Sequence, residues 1–215
     1  MTTMIKKTII LTLIAFGYNS IFAQQDAENY VKEAQDYIKA KNFKEARLAV
    51  QQTIAAINTA VGKEILNVLP AEINGLKSLN NDYDDYITLY DSRGDGGMYV
   101  TRTYRKSKED YDNSFTLAVY VTTVGTNDIK NTLNNPTQLN PKTDRIVKVV
   151  NGRKGLVRSY SEGEAANYKS ATLDIPYNDF YVNIYGYGEF SKDDALIKIA
   201  SKIDFEKLRK ITGDE

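Results

Sequence analysis

Apolar positions recur every three or four residues from Asp26 to about residue 69 and every second residue beyond about residue 83. That change of period predicts a helical start followed by a sheet. In the first segment, Asp26 to Lys39, the face is marked by Ala27, Tyr30/Val31, Ala34 and Tyr37/Ile38, and Lys41-Asn42 breaks it. In the second, Phe43, Ala46, Val50, Ile54, Ile57, Val61, Ile65 and Val68 follow at intervals of 3, 4, 4, 3, 4, 4 and 3. This stripe is expected to be the buried face of a long helix. Leu69-Pro70 ends it, because a residue before proline is pushed out of the helical region. At ~1.5 Å per residue the two helices span roughly 20 and 40 Å. Val61, Ile65 and Val68 therefore need a cover other than the first helix.

After a connector from Leu69 to Leu76, two-faced strands are expected. Ile87 and Leu89 alternate with Tyr86, Thr88 and Tyr90, and Met98 and Val100 with Tyr99, Thr101 and Thr103. Phe115, Leu117, Val119 and Val121 alternate with Thr116, Ala118, Tyr120 and Thr122. A short helix is read at Asn127–Asn134. Arg145–Val150 and Arg153–Tyr160 flank Asn151-Gly152, the strongest short signal for a hairpin. Leu173 and Ile175 mark another strand, and Asn178-Asp179 turns the chain into Phe180–Tyr187. There Phe180, Val182 and Ile184 point one way and Tyr181, Asn183, Tyr185 and Tyr187 the other. Ser191 reads as an N-cap, with Asp193 and Asp194 in the first turn of a helix through Ala195, Ile199 and Ile203 that continues or restarts to Leu208.

This order predicts an α+β fold: an antiparallel sheet of about six or seven strands with a C-terminal helix on one face, preceded by an N-terminal antiparallel helical hairpin. The hairpin is assigned to residues 24–69 and the α+β domain to 70–215, packed together as one globular unit. If the strands keep one register, one sheet face is dry and the other is lined with tyrosine. The candidate binding residues are Tyr120, Tyr181, Tyr185 and Tyr187. Three readings stand side by side: the tyrosines pack under the N-terminal helices with hydroxyls at the rim, they form a protein contact, or they make a platform for a glycan or lipid.

Composition places and limits this picture. Met1–Lys7 carries Lys6 and Lys7, Thr8–Phe16 is apolar, and Ile21-Phe22-Ala23 ends in a small residue, the order of a signal peptide over residues 1–23. The apolar run falls short of the ~20 residues that span a bilayer, so no stable membrane insertion is expected after cleavage. Cleavage after Ala23 leaves 192 residues with 26 cations and 28 acids, a net charge of −2. That near-neutral balance carries no footprint for nucleic acid. A periplasmic or extracellular location and an envelope-protein partner are expected.

With no histidine and no cysteine, Ser-His-Asp and Cys-His catalysis and the common zinc and copper sites are excluded. No acid stands out as half of a carboxylate pair. Asp91-x-Arg93-x-Asp95-Gly96 starts like an EF-hand loop but has arginine at its third and twelfth positions, and Asn80-x-Asp82-x-Asp84 lacks the glycine and closing glutamate. No catalytic residue, metal site or cofactor is expected, and the chain reads as non-enzymatic.

The hairpin resembles a single tetratricopeptide repeat at Tyr30, Ala34, Tyr37, Ala46 and Val50, over about 30 residues; about three copies make a stable stack, and a plain helical hairpin is the preferred reading. Leu69, Pro70, Ile73 and Gly75, with the closing Ile203-Asp-Phe-x-x-Leu208, make the chain similar to uncharacterised exported bacterial proteins with a helical N-terminus and an antiparallel-sheet domain. The layout also looks loosely like the PsbP/Mog1 type of sandwich. These likenesses imply architecture and no activity.

Overall fold

The structure of the chain is a computed structural model that describes residues 25–78, 85–89, 97–107, 109–110, 112–135, 137, 139–161 and 169–214. The expected signal peptide, the Asn80–Asp84 and Asp91–Gly96 segments and Tyr90 lie outside the described residues, as do the side chains of Tyr86 and Leu89. The chain divides into two compact units, Met1–Glu64 and Ile65–Glu215.

The first unit is a helical hairpin. Helix α1 covers residues 25–39 and helix α2 runs Phe43–Val68, its last turn belonging to the second unit. Lys41 between them takes a left-handed φ of 55°. Its N–H donates to the Ile38 carbonyl at 3.0 Å, and Asn42 N–H donates to the Tyr37 carbonyl at 2.8 Å. This is the Schellman closure of a helix, built on lysine where glycine is usual. Buried in this unit are Ala34, Ala46, Ala49 and Thr53. Of the expected buried stripe, Ala46 and Ile65 are buried, but Val50, Ile54 and Ile57 in its middle are 46%, 47% and 48% exposed. Three large residues on the period of a helix marked an apolar face correctly, but small residues one position away are the ones that allow close packing.

The second unit is a nine-stranded antiparallel sheet with helices on both faces. Its strands are β1 (Glu72–Ile73), β2 (Leu76–Ser78), β3 (Asp85–Leu89), β4 (Met98–Arg105), β5 (Phe115–Val121), β6 (Asp144–Lys148), β7 (Lys154–Ser161), β8 (Lys169–Pro176) and β9 (Phe180–Tyr187). The order is β1-β2-β4-β5-β9-β8-β7-β6, with β3 also on β4. The first five strands and the last four each form a locally connected group, and β5 with β9 makes the seam. The supposed connector is itself a hairpin: Ile73 pairs with Leu76 across Asn74-Gly75, whose φ angles of 53° and 80° are both positive. Such a two-residue turn needs those residue types. At the other Asn-Gly, β6 and β7 pair as expected but around the longer turn Val150–Gly152.

β2 and β3 share one edge of β4. Ser78 stands opposite Tyr104 and Asp85 opposite Arg102, two ladder positions apart. Ser78 Oγ donates to Asp85 Oδ1 at 3.0 Å, Arg102 Nε and Nη2 donate to Asp85 Oδ2 at 3.0 and 2.8 Å, and Arg102 Nη1 donates to the Leu69 carbonyl at 2.7 Å. Tyr104 Oη donates to the Pro70 carbonyl at 2.6 Å. The segment following α2 is thus clamped to the sheet. Burial pushes the Tyr104 phenol well above its ordinary pKa.

One sheet face is dry. Val100, Leu117, Val119, Leu173, Ile175, Phe180, Val182 and Ile184 are all fully buried. Helices α4 (Asp193–Ala200) and α5 (Phe205–Thr212) supply Leu196, Ile199, Ala200, Phe205 and Leu208 to the core. The closing helix therefore restarts, with Asp204 accepting from Lys207 N–H at 3.0 Å as its cap. Ser191 is no cap: its hydroxyl donates to the Gly188 carbonyl in the 3₁₀ turn Gly188–Ser191, and α4 begins at Asp193. Among the described residues no helix is long and apolar enough to cross a membrane.

Candidate functional site

The tyrosines lie on the opposite sheet face, as alternation predicts: along β9 the dry-face residues are buried and Tyr181, Asn183, Tyr185 and Tyr187 are half-buried. Ladder register decides which of them meet. Tyr99 is paired with Tyr120 and Tyr120 with Tyr181. Their rings stack at 5.2 and 4.6 Å between centroids, the second pair at 2° from parallel. Cross-strand aromatic pairs of this kind stabilise a sheet.

This ladder is not an open platform at its Tyr181 end. Helix α3 (Thr123–Asn134) packs against β7, β8 and β9. It starts four residues earlier than read from the sequence. Its Ile129 and Leu133 join Leu156 in a buried cluster, against which Leu139, Ile146 and Tyr181 pack. A Cβ added at Gly125 would come within 3.0 Å of the Tyr181 ring. Leu156 and Ile146, opposite one another in the β6–β7 ladder, make this end of the tyrosine face apolar.

Tyr185 and Tyr187 form a second group. Their rings meet edge to face at 4.6 Å, Tyr160 lies 6.5 Å from Tyr185, and Tyr185 Oη donates to Ser170 Oγ at 3.1 Å. Between the two groups runs a polar row. Asp174 is buried and accepts from Asn183 Nδ2 at 2.7 Å and from Arg158 Nη1 at 2.8 Å. Burial raises the Asp174 pKa, and the bonds from Asn183 and Arg158 oppose that rise. The four candidate residues thus divide two and two, Tyr120 with Tyr181 and Tyr185 with Tyr187, across Asn183. Thr101 and Thr172, also on this face, have buried hydroxyls with no hydrogen-bond partner among the described residues.

The acids with buried environments are committed to structure. Asp85 holds Arg102, Asp174 holds Arg158, and Asp214 accepts from both the backbone and the side-chain nitrogen of Asn178 at 2.7 and 2.6 Å. Among the described residues no three acids converge as a metal cluster.

The other surface of interest is on the hairpin. Val31 and Ile38 on α1 are 43% and 53% exposed, and Phe43 at the start of α2 is 68% exposed. With Val50, Ile54 and Ile57 they make a set of large apolar side chains in water. Sequence periodicity identified these residues, but assigned them to the inside.

Comparison with protein-family models finds no match to this chain, and comparison with curated proteins finds none either.

Proposed function

We propose that this is an exported, non-enzymatic protein that acts in the cell envelope by binding another protein, and that its contact surface is the outer apolar face of the hairpin. The observation that carries the reading is that face: Val50, Ile54 and Ile57 stay about half exposed while alanines and a threonine occupy the close-packed side. The largest apolar patch on a monomeric protein, commonly several hundred Å², is often a functional contact surface. The signal-like N-terminus, the absence of histidine and cysteine, and the structural commitments of Asp85, Asp174 and Asp214 support the location and the lack of chemistry. Crosslinking in whole cells tests it. Wild-type protein is expected to yield an adduct with an envelope protein that Ile54→Lys abolishes while keeping its helical circular dichroism. An adduct indifferent to Ile54 would remove the hairpin from the reading.

A second reading, a glycan or lipid site, is favoured at one place only. Tyr160 is 45% exposed beside the half-buried Tyr185 and Tyr187, an aromatic edge suited to stacking on a sugar ring. Thermal-shift screening with envelope glycans and lipids is expected to show a response that Tyr160→Ala removes, and a flat panel would end this reading.

A further inference from the structure

We infer that the partner fitted by the hairpin face is a second copy of this chain, an inference that rests on the protein-binding reading above. The geometry begins with helical periodicity. Val50, Ile54 and Ile57 are spaced 4 and 3 residues, and Val31 and Ile38 are two turns apart, so each set forms an exposed apolar line on its helix, with Leu48, 48% exposed, standing off the line on α2. At about 100° per residue, the line on α1 lies on the C-terminal-going side of Ala34 and Tyr30, and that on α2 on the same rotational side of Ala46, Ala49 and Thr53. In an antiparallel pair, equal rotation from the facing sides brings both lines onto one side of the hairpin. The buried Ala34 on α1 and Ala46, Ala49 and Thr53 on α2 mark the facing sides, and Asp26 and Tyr30 share a groove with Gln52, Ala56 and Thr59 beside them.

The area suits a self-contact. At their observed exposures the six side chains Val31, Ile38, Phe43, Val50, Ile54 and Ile57 leave on the order of 500 Å² in water. Two such faces pressed together bury on the order of 1,000 Å², the lower bound of a specific interface. A face of two antiparallel helices laid on its own copy makes a four-helix arrangement, the standard way to cover such stripes.

Charge selects how the copies lie. The turn end of the hairpin, residues 36–47, carries four cations (Lys39, Lys41, Lys44 and Arg47) against Asp36 and Glu45. The open end, residues 26–33 with 59–64, carries four acids (Asp26, Glu28, Glu33 and Glu64) against Lys32 and Lys63. A two-fold axis perpendicular to the helices sets each basic end over the acidic end of the other copy. A parallel arrangement would set like on like. The face is self-complementary in the antiparallel sense required of a two-fold contact.

Analytical ultracentrifugation of the purified protein over a range of concentrations tests this. A monomer–dimer equilibrium is expected, and Ile54→Lys, at a surface position that does not threaten folding, is expected to weaken it at least about tenfold. Lys44→Glu combined with Arg47→Glu leaves the apolar face intact and is expected to weaken the dimer at low salt, with the difference fading in about 1 M salt, where the Debye length is ~3 Å. A protein that stays monomeric, or a dimer indifferent to Ile54, overturns the inference. Monomers that still crosslink to a different envelope protein through Ile54 overturn the second copy and leave the protein-binding reading standing. Monomers without any Ile54-dependent adduct end both.

Discussion

Arg145 and Asp193 tie the sheet edge to the start of α4, with Arg145 Nε and Nη2 donating to the two carboxylate oxygens at 2.8 and 2.7 Å. The Arg145 bond holds the Asp193 carboxyl below the ordinary carboxylate range. A lowered folded-state pKa adds stability that is present above the unfolded value, near 3.9, and is lost as pH falls through the folded value. Asp193→Asn is therefore expected to be less stable than wild type at pH 7, with the two urea midpoints converging as pH falls below the ordinary carboxylate range. A gap that persists in acid would show that Arg145 loses packing and not charge. Asp174 acts in the opposite sense. Its pKa is raised by burial, so its ionisation costs stability as pH rises above the ordinary carboxylate range, and Arg158 and Asn183 limit that cost. Two aspartates paired with arginines of one sheet thus titrate with opposite signs, because one meets its arginine near water and the other under cover.

At the scale of elements, the clearest constraint is the turn after β9. A Cβ on Gly186 would collide with the Phe190 carbonyl oxygen and lie 3.1 Å from Leu196 Cδ2. The backbone of the 3₁₀ turn occupies the space, so Gly186→Ala is expected to cost about 1–3 kcal/mol or more in urea unfolding; unchanged stability would mean that the turn moves aside freely. The strand Phe180–Tyr187 was legible, but the close approach at its Gly186 was not, since no local signal records what returns to meet it. The long strands were legible because each has at least two alternations, and β9 shows its buried and half-buried pattern without exception. β1 and β2, with two and three residues, are too short to show a period, although their Asn-Gly turn was in plain view. The tyrosines were legible as one face. Their division into Tyr99–Tyr120–Tyr181 and Tyr185–Tyr187 was not, because that depends on ladder register and on α3 arriving over Tyr181. The inward reading of Val50, Ile54 and Ile57 failed because periodicity reports an apolar line and not which side its neighbour chooses.

For the whole sheet, the seam matters most. β5 and β9 join the two strand groups through Leu117–Ile184, Val119–Val182 and Tyr120–Tyr181, contacts between residues far apart in sequence. Ile184 is fully buried between Leu117 and Leu173. Ile184→Ala is expected to cost about 2–5 kcal/mol, and stopped-flow kinetics should show most of the loss as slower folding, since the seam must close before either group gains from it. Faster unfolding with unchanged folding would place the seam after the barrier. The outer edge of β4 has a different consequence. Ser78 and Asp85 are seven residues apart along the chain but two positions apart on the ladder, with a direct hydrogen bond between them. Asp85 also holds Arg102 of β4, so one carboxylate staples two strands to the same edge, and a change at that single position would loosen both together.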